Sequence, residues 1–225
     1  MGDITSYSLA DFLLFSPETY WRLFERANEL YWPAPLAGLA LGLVMLAAAL
    51  WSRGLLVRLA ALIAGAGLIW IAWAFLWQLF QPINFAMDYA VPAFAAAGLL
   101  FLIFAVAGGR AARRPSAVPA PLIFLAVVIY PYLAPVMGRD VTGAEIVGIA
   151  PDPTAMAAGA LALLAGRLWW RILMAAVPVL WLAFSALTLF TMGAPEWPIP
   201  TAAALLVLFG LYQPAAGRAV MPVRG

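Results

Sequence analysis

The chain has 225 residues, 66% of them hydrophobic and only 10% charged, with a net charge of +2. Soluble domains average about 25% charged residues, so a soluble fold around one core is excluded, and arginines dispersed between apolar runs leave no nucleic-acid footprint. There is no Cys and no His, and all twelve basic residues are Arg; thiol redox chemistry, Cys/His zinc sites, His-ligated haem, a His general base and a Schiff-base lysine are thereby removed.

The first thirty residues are polar and amphipathic and lack the charged-then-apolar start of a cleavable signal peptide. Within them SPETYWRLFERANEL, Ser16 to Leu30, is expected to form a helix lying on the membrane surface. Ser16 suits the N-cap, Pro17 the first helical position and Glu18 the positive end of the dipole. Tyr20, Phe24, Ala27 and Tyr31 recur at helical spacing. Such a helix covers the ends of the spans, or serves as a lid or docking surface.

Seven apolar runs follow, each read as a membrane helix against a hydrocarbon core of about 30 Å. They run from Trp32 to Trp51, Leu55 to Phe80, Asp88 to Gly108, Pro119 to Val136, Pro153 to Gly166, Leu168 to Thr191 and Pro198 to Tyr212. The connections carry Pro, Gly or charge, as turns should. The fold class is therefore all-α, a polytopic bundle: residues 1–31 form an outer amphipathic segment, 32–213 the bundle and 214–225 an inner tail.

Charge fixes the expected orientation. With the amino terminus outside, Arg53, Arg58, Arg110, Arg113, Arg114, Arg167, Arg171, Arg218 and Arg224 face inward, nine of the twelve arginines. This is the positive-inside pattern. All ten acids fall outside: Asp3, Asp11, Glu18, Glu25, Glu29, Asp88, Asp140, Glu145, Asp152 and Glu196. Trp51, Trp169, Trp170 and Trp197 stand near span boundaries, where indoles favour the headgroup layer. The expected location is a bacterial-type inner membrane, crossed several times.

The run GIAPDPTAMAAGALALLAG sets an acid between two prolines at the mouth of a span. Its fourteen apolar residues, Pro153 to Gly166, make about 21 Å of helix, about 9 Å short of the core. The preceding EIVGIA is then expected to dip inward, which irregular backbone does only inside protein or a cavity. Asp152 reads as an N-cap with Pro153 at the first helical position. An ionisable residue at that depth is also a candidate site, with Arg139 as the expected partner. Ala155, Gly159, Ala158 and Ala162 put small residues at four-residue spacing, as does the Gly38–Gly42 pair in the first span, so close helix approach is expected.

Other polar groups gather toward the same side. Trp73, Trp77, Gln78, Gln81, Asn84, Asp88 and Tyr89 lie along the second turn region; Tyr130, Tyr132, Arg139 and Asp140 follow the fourth span; Ser185, Thr188 and Thr191 lie on the sixth, which Pro178 should kink. Any pocket opens outward. The candidate ligand-binding residues are Asp152, Thr154, Arg139, Tyr130, Gln78, Asn84 and Asp88. No catalytic residue, metal ligand or cofactor is expected; no DDxxD or DxxxD arrangement occurs within a span, and no M-x-M pattern marks a Cu(I) site.

Three stretches, FSPETYWRLFERANELYWPAPL, INFAMDYAVPAF and YPYLAPVMGRD…GIAPDPTAMAAGALALL, carry a resemblance over nearly the whole chain. The sequence resembles bacterial membrane proteins grouped as domain of unknown function 6064, some labelled permeases. The resemblance implies the membrane architecture and no particular activity. The family pattern has a Pro-Cys-Pro-Thr-Thr-like motif where this chain reads PDPTA, so Asp152 departs from it. Two functions are expected: a small-solute permease or ligand-binding membrane protein with an outward-facing site, or a non-catalytic accessory subunit of a membrane complex or homo-oligomer. Both need a lipid bilayer and neither needs nucleic acid. The absence of an internal repeat and of mid-membrane charges weighs against an ion-coupled pump.

Overall fold

The computed structural model describes residues 15–107, 109–112 and 116–213. Asp3, Asp11, Arg113, Arg114, Arg218, Arg224 and the inner tail lie outside the described residues. The described residues form helices with no named strand: α1 (Pro17–Leu30), α2 (Ala34–Trp51), α3 (Gly54–Ile83), α4 (Met87–Val106), α5 (Pro119–Val136), α6 (Pro151–Ala162), α7 (Leu168–Thr191) and α8 (Pro198–Tyr212). Five of them, α2, α3, α4, α5 and α7, are long and apolar enough to cross a membrane; α8 is apolar but shorter.

Proline and arginine punctuate the chain where the sequence suggests. The boundaries of α5, α7 and α8 coincide with the expected ones, and those of α2, α3 and α4 differ by three residues or fewer. Helix α6 begins at Pro151, two residues early, and closes at Ala162. Two helices change winding along their length. Helix α3 runs as π-helix over Ala72–Phe80 and tightens to a 3-10 turn at Gln81–Ile83. Helix α5 does the same over Leu125–Ile129 and Tyr130–Tyr132. Both tight turns carry proline at their second position, Pro82 and Pro131. A proline ring clashes with the carbonyl four residues back and supplies no N–H, so each helix departs from regular α winding as it approaches its proline.

Helix α6 is the centre of the bundle. All twelve of its residues are buried, and it packs against α2, α3, α5, α7 and α8. Its small residues permit this: a Cβ on Gly159 would meet Val207 of α8 at 3.2 Å and Pro178 of α7 at 3.3 Å. The glycines of α2 serve the same end, Gly42 lying against Val127 of α5 and Gly38 against the Val147 carbonyl. Around this centre, the outward faces carry large apolar side chains, among them Leu41, Leu50, Leu99, Ile103, Leu180 and Phe209. Exposed apolar surface on that scale suits lipid rather than water.

The bundle has two distinct ends. Helix α1 lies across one. Ser16 accepts from the Thr19 amide, with Pro17 first in the helix, and the buried stripe is Tyr20, Leu23, Phe24 and Ala27. The Phe24 ring packs tilted against Phe75 of α3, and Tyr20 meets Phe80 edge-to-face. At the other end the arginines gather. Arg58 donates to the Ala105 carbonyl at 3.0 Å and Arg171 to the Ala165 carbonyl at 2.7 Å. The Gly166 amide donates to the Arg110 carbonyl.

Candidate functional site at the helix α1 end

The chain between α5 and α6 turns at Asp140, which accepts from the amide and hydroxyl of Thr142. It then descends into the bundle as expected: Ala144, Glu145, Ile146, Val147, Ile149 and Ala150 are buried. Asn28 of α1 clamps this descent from above by donating to the carbonyls of Thr142 and Ala144. Gly148 adopts a left-handed φ of 83°, which glycine tolerates without strain. Its amide donates to the Thr154 hydroxyl, which in turn donates to the Ala150 carbonyl, each at 2.7 Å.

Asp152 is therefore not the helix cap. Ala150 occupies that position without a side-chain bond, Pro151 is first and Asp152 second. The amide that a cap would satisfy belongs to a proline in two of the first three positions, so the carboxylate is free to turn sideways. It is 1% exposed and accepts three hydrogen bonds: from Trp181 Nε1 at 2.7 Å, Ser185 Oγ at 2.5 Å and Tyr130 Oη at 3.2 Å. It thus ties α6 to α5 and α7. Phe94 of α4 backs the Trp181 ring edge-to-face at 5.1 Å.

Arg139 pairs with a different acid from the one expected. Its Nη2 lies 2.8 Å from Glu196 Oε1, and its guanidinium sits 3.4 Å above the Trp21 ring. The ion pair is close but misaligned: none of the three guanidinium nitrogens makes a hydrogen bond among the described residues. We read it as a charge contact rather than a directed bond. Glu145, 6% exposed, lies within reach of the charges of Asp152, Arg139 and Glu196. Burial pushes its carboxyl well above the usual carboxylate range, Asp152 adds to that, Arg139 opposes it and Glu196 adds again.

The structure brings Asp152 and Tyr130 together, with Arg139 nearby. Thr154, two residues on, is committed to the loop. Gln78 is exposed on α3. Asn84 accepts from the Ala86 amide, and the exposed Asp88 accepts from Gln81; these two order the turn into α4 and stand apart from the cluster. Sequence reasoning missed Tyr20, Trp21, Glu145, Trp181, Ser185 and Glu196 as members. One signal was present: Trp181, Ser185 and Thr188 recur at helical spacing on an otherwise apolar α7, so they share a face.

Beside the cluster, an apolar groove of 580 Å³ runs between α2 and α3, lined by Gly38, Leu41, Met45, Ile63, Gly67 and Trp70, with Thr154 at its upper end. It does not reach Asp152.

No curated protein and no solved structure matches the chain. A family model does, over residues 17–214, which include α1, the buried loop, α6 and every member of the cluster. The chain belongs to the family of unknown function DUF6064.

Proposed function

We propose that the protein is a multi-pass protein of a bacterial-type inner membrane, with seven spans and its amino-terminal end outside, and that it binds a small solute at the α1 end as a permease or receptor. One observation carries the binding reading. In a chain with so few charges, the buried Glu145, Asp152 and Glu196 and the half-buried Arg139 are gathered at the α1 end. Ionisable groups inside a membrane bundle are costly to keep and ordinarily mark a site. We propose binding rather than catalysis, since the chain holds no His, Cys or Lys.

The seven spans are the five long helices plus α8 and the enclosed α6. The gathering of Arg58, Arg110 and Arg171 at one end, opposite Glu145, Asp152 and Glu196, supports the orientation. The chain contains no cysteine, so single-cysteine reporters need no background removal. Reporters at Glu18 and Ser52 should label from opposite sides with a membrane-impermeant reagent; labelling from one side would overturn the topology. Native mass spectrometry after gentle purification tests the binding: a monomer whose thermal stability rises with one class of solute supports it.

A second reading is a non-catalytic accessory subunit. It is favoured by Asp152, whose three donors already satisfy it. It predicts a protein partner at fixed stoichiometry and no stabilising solute.

A further inference from the structure

Helix α7 starts with charge of the wrong sign. The positive pole of a helix favours acids in its first turn, yet α7 has none there and no side chain caps it. Arg167 holds the cap position instead, and Arg171 is the fourth residue. The first bond of the helix runs from the Arg171 amide to the Arg167 carbonyl. The amides of Leu168, Trp169 and Trp170 come before it and have no intrahelical acceptor.

Arg171 supplies a second observation at the same place. Its side chain is 3% exposed and leans back toward the helix start, as helical side chains do. Its Nε donates to the Ala165 carbonyl, three residues before α7 begins, at 2.7 Å. The guanidinium therefore lies at the mouth of α7. Its Nη2 is buried there without a hydrogen-bond partner among the described residues, and a buried charged donor without an acceptor is costly. The protein places no acid to meet it. Among the described residues every acid lies at the α1 end, and the single ion pair is Arg139 with Glu196. Gly166, Arg167 and Leu168 are exposed around the mouth, so an acceptor can arrive from outside.

We propose that the start of α7 binds a phosphate group, with Arg171 and the free α7 amides as donors and Arg167 adding charge at the rim. Helix amides and a guanidinium are the two donor types that phosphate oxygens take best, and an anion reverses the misplaced charge at the helix pole. The adjoining surface points to a phospholipid as the carrier. Leu168, Trp169 and Ile172 are exposed, and Trp169 stacks on Trp170 at 4.2 Å. Indoles sit at headgroup depth, so a lipid whose phosphate occupies the helix start lays its acyl chain along this face. A free phosphate ion shares the head chemistry and lacks the tail. The site is independent of the solute reading of the α1 end and asks only that the bundle lie in a bilayer.

The test uses the full chain in detergent, stripped of lipid and titrated with phosphatidylglycerol, diacylglycerol or inorganic phosphate. Native mass spectrometry reads the bound lipid and thermal unfolding reads all three. One phosphatidylglycerol should bind per chain, about tenfold or more tightly than diacylglycerol, which has the same tails and no phosphate. Arg171→Gln and Arg167→Gln should each weaken it, the first by about tenfold. Arg53→Gln, an exposed arginine at the same end, should leave it unchanged. Stabilisation by inorganic phosphate that Arg171→Gln removes supports the site with the free ion as its source; stabilisation by phosphatidylglycerol alone supports it with the lipid. Equal binding of diacylglycerol, an equal loss with Arg53→Gln, or no stabilisation by either phosphate source overturns the proposal. Should Arg171→Gln fail to fold, the exposed Arg167→Gln carries the comparison with Arg53→Gln, and equal binding by those two overturns it.

Discussion

Helix α6 opens on Asp152, whose carboxylate takes hydrogen bonds from α5 and α7. Three residues past its last residue, at the other end, the Ala165 carbonyl takes one from Arg171. The arginine end is joined through backbone. Guanidiniums meet carbonyls left over where α4 and α6 stop, and the negative poles of those two helices balance the charge without an acid. The α1 end has no such economy. Its buried acids outnumber the one arginine set among them, and Asp152 lies beside the positive pole of only one helix. Burying charge on backbone carbonyls makes a joint; burying it on side chains of unequal number leaves something for a solute to do.

Substitutions can break this contrast. The largest effect should come from Asp152→Ala, which strands three buried donors and should cost about 3–5 kcal/mol, read from thermal or denaturant unfolding in detergent. A loss under about 1 kcal/mol would show that the cluster does not hold the helices together. Gly166→Ala tests the joint by shape alone. Its new Cβ would stand 2.8 Å from the Arg110 carbonyl oxygen and 3.2 Å from that of Ala111, and we expect a loss of about 1–3 kcal/mol. Arg171→Leu removes the cap from a side chain 3% exposed. It should cost about 1–2 kcal/mol, less than Asp152→Ala, because it leaves one carbonyl without its donor rather than three donors without an acceptor. Ser185→Ala takes one of the three donors of Asp152 and should cost about 1 kcal/mol. A loss from Asp152→Ala no larger than that from Arg171→Leu would erase the distinction between the ends.

The helices themselves were legible. Apolar runs of the right length ended by Pro119, Pro198, Arg53 or Arg167 leave little freedom in where a helix can start. Ser16 before Pro17 marked α1 correctly, and the alanine–glycine content of α6 correctly marked it as enclosed. The site was only half legible. Asp152 stood out because acids are scarce, but its role as a tie among three helices depends on which face of α6 meets α7. No local pattern states that. The same holds for Arg139: as the only arginine in the expected outer loops beyond α1 it was matched with Asp152, whereas Glu196 arrives from the turn before α8, a long-range pairing. The π segments of α3 and α5 were also invisible, although the prolines that follow them were in plain view.

The enclosure of α6 has a consequence for biogenesis. Twelve residues make about 18 Å of helix, too short for the insertion machinery to treat as a stop in its own right. We expect the segment to take its place only once α5 and α7 are threaded, since its contacts are with helices on both sides of it in the chain.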